Sequence, residues 1–181
     1  MNIKDIIEIL DKLVPNPTDG LPDEIFHYIS RITPLVNVDL LVKDEKERTL
    51  LSWRDDKYTG TGWHIPGGIV RYKETLEARI KKVAKNEIGS DIDFNPIPIA
   101  INQLIHPDRK TRSHFVSILY KCSLPNTFVP QNKGLSIKDS GYLKWQNVCP
   151  DNLIKSHEIY YKNYTGRKIN DFTSLEPEML I

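Results

Sequence analysis

The sequence predicts an α+β fold, an α/β/α sandwich around a mixed β-sheet with an added N-terminal helical segment. Three observations predict it. The first 32 residues carry apolar side chains at helical spacing, the pattern becomes strand-like from Leu35, and one long helical stretch at 74–88 divides the strands into two groups. The 181 residues suit one ordinary domain with a single core, divided here into an N-terminal extension (1–32) and a main domain (33–181).

Ile3, Ile6, Ile7, Ile9, Leu10 and Leu13 lie mostly on one helical face, so residues 3–13 read as an amphipathic helix with a stripe suited to packing on the domain or on a second subunit. Pro15, Pro17 and the Asp19–Gly20 pair break it. Pro22-Asp23-Glu24 has the composition of a first helical turn, and Pro34 closes that second helix. LVNVDLLV (35–42) and TLLSW (49–53) are strand-like and separated by the charged segment Lys43 to Arg48, which predicts a hairpin. After the helix at 74–88, IDFNPIPIAINQLI reads as an edge or bulged strand because Pro96 and Pro98 interrupt it. HFVSILYKCSL and GYLKW are further strands, and 150–164 reads as a closing helix with Gly166 just beyond it.

Hydrophobic residues make up 39% of the chain and charged residues 27%, the balance of a folded soluble protein. The net charge of +1 carries no basic field of the kind that recruits nucleic acid, although His106–Arg112 is locally basic. No run is long enough to span a bilayer, and MNIKDIIEILDKL has no secretory core, so a cytoplasmic location without membrane contact is expected. Cys122 and Cys149 lack the paired spacing of a zinc site and read as free thiols.

The stretch GWHIPGGIVRYKETLEARIKKVAKNEIG (62–89) carries the chemistry. Pro66-Gly67-Gly68 lets the backbone turn sharply and present main-chain groups unobstructed. Glu87 lies one helical turn after Val83. If that face meets the Gly67 loop, a carboxylate and a backbone carbonyl would hold one hard cation such as magnesium, which keeps waters and binds phosphates. Asp39 interrupts an apolar strand, where an unpaired charge is costly, so it needs a partner in the fold or in a substrate.

Gly68, then Glu74 after five intervening residues, and the block ending Glu87-Ile88-Gly89 together resemble the Nudix box, the signature of hydrolases acting on nucleoside diphosphates linked to another group. In the block, Lys82 stands where the box has arginine, and Val83 and Asn86 stand where it has acids. This reduced box is similar to that of the GDP-mannose mannosyl hydrolase subfamily. TPLVNVDLLV, LLSWR, GWHIPGG, KETLEA and HFVSILYKC resemble that subfamily in order and spacing, over roughly residues 30–166.

The resemblance implies a magnesium-dependent hydrolase of a nucleotide sugar such as GDP-mannose. Water attacks the anomeric carbon and the nucleoside diphosphate leaves. It also implies the site residues. Gly67, Glu87 and Asp139 would hold the metal, with Asp139 or His106 as general base. Asp39, Arg54, Lys82 and Arg71 would contact the diphosphate or leaving group, and His106 resembles the leaving-group histidine. Ser140 stands where the subfamily has its basic histidine, and Ile69 where it has an arginine. Relatives often pair, so a homodimer is expected. The alternatives are a Nudix pyrophosphohydrolase of another nucleotide derivative, against which the missing acids at 83 and 86 argue, and a weakly catalytic nucleotide-sugar-binding module. Of the other histidines, His64 could face either side of its strand, His114 packs or hydrogen-bonds at a strand start, and His27 and His157 read as solvated.

Overall fold

The computed structural model describes residues 2–160. In chain order it contains α1 (Ile3–Leu13), α2 (Asp23–Ile29), β1 (Leu35–Val42), β2 (Thr49–Asp56), β3 (Gly60–His64), β4 (Gly67–Ile69), α3 (Leu76–Val83), β5 (Asp93–Phe94), β6 (Ala100–Ile105), β7 (His114–Ser123) and β8 (Leu143–Gln146). The strands form two sheets. One runs β4-β1-β7-β5, with β6 also on β7; the other runs β3-β2-β8. Only the β1–β7 pairing of the larger sheet is parallel, so that sheet is mixed.

β1 is the central strand, and its period of two sorts the core. Val38, Leu40 and Val42 face Ile80, Val83, Ala84 and Ile88 of the α3 helix and its continuation. Leu41 faces the opposite side, where Leu51, Trp53, Trp63, Ile65, Leu119 and Tyr160 form a second buried cluster. Asp39 falls on that second side by the same alternation. The predicted hairpin is reduced to its turn, closed by an antiparallel Lys43–Thr49 bridge and the Asp44 N–H to the Arg48 carbonyl at 3.2 Å. β1 and β2 then diverge into different sheets, because each strand finds longer pairing elsewhere: β1 along eight positions of β7, β2 on β3 and β8.

α3 starts at a Thr75 cap whose hydroxyl accepts from the Ala78 N–H, 3.1 Å. Beyond Val83 the helix widens into a π-helical turn, Ala84–Ile88, closed by the Gly89 N–H to the Ala84 carbonyl at 2.9 Å. Gly89 ends it with φ of 77°, the left-handed cap that glycine adopts without strain. The proline segment of the predicted edge strand separates β5 from β6, because Pro96 and Pro98 cannot donate to a ladder.

None of the residues of the N-terminal helix is buried, and Ile3 is 75% and Leu13 56% exposed, so of the two surfaces expected to cover the stripe, the domain does not bury it among the described residues. The predicted closing helix is represented by a 3-10 turn at Lys155–His157 and the residues after it, and its remainder lies outside the described residues. Among the described residues no helix is long and apolar enough to cross a membrane.

Candidate active site

A cavity of about 280 Å³ opens where β1, β2, β4, the π turn, the 106–112 loop and the Lys155–His157 turn converge. Asp39, Arg54, Gly67, Glu87 and His106, named from the sequence, all line it. His64, Arg109, Arg112, Asn37 and His157 line it as well.

Asp39 and Gly67 are directly opposed in the β1–β4 ladder. The ladder bonds run from the Leu40 N–H to the Pro66 carbonyl and from the Val70 N–H to the Val36 carbonyl, both 2.9 Å. Asp39 and Gly67 are therefore a non-hydrogen-bonded pair, the closer kind, with Gly67's own N–H and carbonyl turned away from β1. A Cβ on Gly67 would stand 2.1 Å from Asp39 Oδ1 and 2.8 Å from the Val38 carbonyl oxygen. A Cβ on Gly68 would stand 2.8 Å from Val83 Cγ2. The Gly-Gly pair is thus explained by close approach rather than by a sharp turn. Neither glycine has positive φ, and both lie in a strand.

Asp39 is fully enclosed and meets the partner requirement raised by its sequence context. Asn37 Nδ2 donates to Oδ1 at 2.9 Å, and the Ser117 and Tyr160 hydroxyls both donate to Oδ2. Burial raises its pKa to about 6 against the three hydrogen bonds, which favour the ionised form. Tyr160 lies in no motif named from the sequence. Its hydroxyl is 2.6 Å from that of Ser117, closing a buried triangle around the carboxylate.

The π turn carries Glu87 into the cavity. Its Oε2 is buried without a hydrogen-bond partner and lies 3.6 Å from His64 Nε2, within ion-pair range but too far for a hydrogen bond. Both nitrogens of His64 are likewise buried and unpartnered. Burial lowers the His64 pKa even though Glu87 opposes the shift, so the ring is neutral at neutral pH. His157, expected to be solvated, is instead buried. Its Nδ1 accepts from the Ile65 N–H at 3.2 Å, and burial, with His64 and Arg54 nearby, lowers its pKa well below the ordinary range. The other histidine expected to be solvated, His27, bonds the Tyr58 hydroxyl through Nε2 at 2.8 Å. His106 is lowered to about 4 by burial and then by Arg109, so it too is neutral.

Three positions expected from the resemblance are not brought to the cavity. Asp139 is exposed, and its Oδ2 accepts from the Ser136 N–H at 2.6 Å, closing its own turn. Lys82 pairs with Glu74 Oε1 at 3.2 Å. Glu74 also takes Arg79 Nη2 at 2.6 Å, so the first acid of the motif braces α3 instead of facing the cavity. Arg71 donates to the Asp19 carbonyl and lines a separate groove beside the N-terminal segment. Arg54 lines the cavity and pairs with Asp56 at 3.6 Å. Among the described residues no group of three or more His, Cys, Asp and Glu side chains could hold a metal ion.

Sequence reasoning missed Arg109 and Arg112 as site residues, although their basic segment stood out. It also missed the inward face of His64, which sequence alone left open. Nothing in the sequence signalled the burial of His157.

Comparisons with known proteins bear on the same residues. A family model described as NUDIX domain matches residues 33–164. The low-salt glycan biosynthesis protein Agl8 of Haloferax volcanii is 37% identical over 76 residues, 42% of this chain and 48% of that protein. The chain thus spans about half the length of this curated relative. Among solved structures, a MutT NUDIX hydrolase from Burkholderia pseudomallei superposes with a TM-score of 0.59 at 19% identity, covering 73% of this chain and 98% of that one. A structure described as a UDP-X diphosphatase has a TM-score of 0.52 at 17% identity, covering 90% and 92%. At these identities the structural likeness is one of fold.

Proposed function

Because the chain belongs to the NUDIX domain family, we propose that it is a magnesium-dependent hydrolase of a nucleotide sugar, of the GDP-mannose type, that releases free sugar and a nucleoside diphosphate. The observation that carries the reading is the Glu87 Oε2 atom, buried without a hydrogen-bond partner in a cavity whose other wall holds Arg54, Arg109 and Arg112. A buried carboxylate oxygen is costly without a donor or a cation.

Nudix hydrolases generally use divalent metals such as Mg2+, and the donors here fit one such ion. Glu87 and Gly67 line one cavity and carry a carboxylate and a main-chain carbonyl, both hard-oxygen donors, with waters and phosphate oxygens left to complete the shell. When bound, magnesium supplies charge neutralisation at the diphosphate oxygens. The arginines bind and orient the same oxygens. Water adds to the anomeric carbon as the bond to the diphosphate oxygen breaks, and the diphosphate departs with the bonding pair. The water's proton passes to a base. Asp39, with its pKa near 6, is better matched to that step than His106 near 4. Asp139, which does not line the cavity, has no part in this scheme.

Attack on carbon rather than phosphorus is supported by the acids the helix lacks. Val83 packs in the core against the sheet beneath α3, and Asn86 is exposed, so Glu87 is the helix's only carboxylate in the cavity. The second reading is a pyrophosphohydrolase, the class of activity named for one neighbour in fold, the structure described as a UDP-X diphosphatase. Products decide between them: free sugar and nucleoside diphosphate for the first, sugar phosphate and nucleoside monophosphate for the second. A panel of nucleotide sugars incubated with magnesium gives that answer. Glu87→Gln is expected to abolish magnesium-dependent turnover with an ordinary thermal melt, and full activity in that variant defeats the assignment. The homodimer belongs to this proposal too, supported by the exposed apolar face of α1 and tested by light scattering of the full chain.

A further inference from the structure

The matched family region begins at residue 33, yet the wall of the cavity is held by residues before it. Arg112 lines the cavity, and its Nε is buried without a hydrogen-bond partner. Asp56, whose charge acts on Arg112, forms its ion pair with Arg54 at 3.6 Å. The Arg112 guanidinium carbon lies 4.6 Å from the centre of the Tyr58 ring and 5.8 Å from that of Phe26, a cation between two aromatic faces. Its backbone has φ of 52°, in the left-handed region that a residue bearing a side chain adopts only when its surroundings impose it.

The imposing groups come from α2 and the residue that caps it. Ser30 is 1% exposed, and its hydroxyl accepts from the Arg112 N–H at 3.1 Å while donating to the His27 carbonyl at 3.0 Å. His27 Nε2 bonds the Tyr58 hydroxyl at 2.8 Å, fixing the second aromatic face. The N-terminal extension therefore sets both the backbone and the side chain of one arginine. A half-buried cation whose Nε is enclosed without a partner at a cavity wall is prepared for an anionic oxygen.

We propose that α2 and Ser30 are part of the binding site: they hold Arg112 as a receptor for the phosphate oxygens of the leaving nucleoside diphosphate. Arg112 is the binding residue, and Ser30, Phe26 and His27 are positioning residues. The identity of the anion rests on the nucleotide-sugar reading above, but the requirement for a phosphate-type oxygen does not.

Calorimetric titration of the full chain with GDP and, separately, with inorganic pyrophosphate tests this in the presence of magnesium. Arg112→Gln is expected to weaken both by roughly 10- to 100-fold, the range of a charge-assisted hydrogen bond. Ser30→Ala is expected to weaken both several-fold in the wild-type background and not at all in the Arg112→Gln background, since it acts only through that arginine. Should Ser30→Ala lose its fold, Phe26→Leu carries the same comparison. Wild-type affinity in Arg112→Gln overturns the proposal, as do Ser30 and Arg112 losses that simply multiply. Pyrophosphate binding that depends on Arg112 without any GDP binding upholds the arginine site and removes the nucleotide-sugar reading. GDP binding indifferent to Arg112 does the reverse.

Discussion

Gly67→Ala tests the geometry at the centre of the site. The added methyl carbon would stand 2.1 Å from Asp39 Oδ1, about 1.3 Å inside the 3.4 Å at which ordinary contact begins, and 2.8 Å from the Val38 carbonyl oxygen. One contact is with backbone and the other with a carboxylate tied by Asn37, Ser117 and Tyr160, so neither neighbour yields freely. Either β4 moves off β1 or Asp39 leaves its donors. Overpacking costs about 1–3 kcal/mol, and each hydrogen bond lost to a charged group about 1.5–3 kcal/mol. The expected loss is roughly 2–5 kcal/mol, which lowers the melting midpoint by about 5–15 °C for a chain of this length. Gly134→Ala is the control, because nothing lies within 4 Å of its added carbon and only its φ of 80° opposes the change. Differential scanning fluorimetry with a turnover assay reads both variants. A Gly67→Ala protein with a wild-type melt and wild-type turnover refutes the argument that this glycine makes room for Asp39.

Three more outcomes follow from the charges. Asp39 has its pKa raised from 3.8 to about 6 by burial. Between those values the folded chain keeps a proton that the unfolded chain has released, so this contribution is complete below about pH 4 and is lost as pH rises through 6. The melting midpoint of Asp39→Asn should therefore gain on wild type between pH 4 and pH 7, and a gap independent of pH contradicts the shift. His64, His106 and His157 carry the opposite sign. Their folded pKa values are lowered, so their contribution is complete above about 6.5 and is lost on acidification. Wild-type melts should fall from pH 7 to pH 4.5, and His106→Gln should flatten that fall; an identical slope in the variant speaks against a buried neutral His106. Lastly, Glu74→Gln should cost about 3–5 kcal/mol by stranding Arg79, only 11% exposed, whereas Lys82→Gln, 55% exposed, should cost no more than about 1 kcal/mol and leave KM unchanged. A raised KM in Lys82→Gln would return that lysine to the substrate.

Sequence carried much of the site because its residues break local rules. Asp39 is an acid in a run of Leu and Val, a conflict with its neighbours that is visible in the one-dimensional pattern itself. Gly67 and Gly68 mark close approach equally well, although the sequence does not say whether a turn or a strand is being accommodated. Sheet membership was not legible. Adjacent strand-like runs usually pair, and nothing in Lys43–Arg48 reveals that β1 prefers β7, eighty residues on in the chain by the Leu35–Phe115 register. His157 and Tyr160 gain their roles only from what the segment after β8 covers, a long-range contact with no local signature. Asp139 shows the converse: an acid at the expected place in a motif, turned by its own loop to cap Ser136.

The winding of the helix after Val83 has a further consequence. Five residues occupy a stretch that an ordinary α-helix would wind more tightly, and Ile88 still reaches the core while Gly89 still terminates the run. The aim of the Glu87 carboxylate is thus a matter of pitch as much as of residue type. Each residue advances an α-helix by about 100°, so losing one residue from this loop of backbone would swing the acid around the axis with its chemistry untouched. A scan that asks only for a glutamate at that place would pass such a chain as intact.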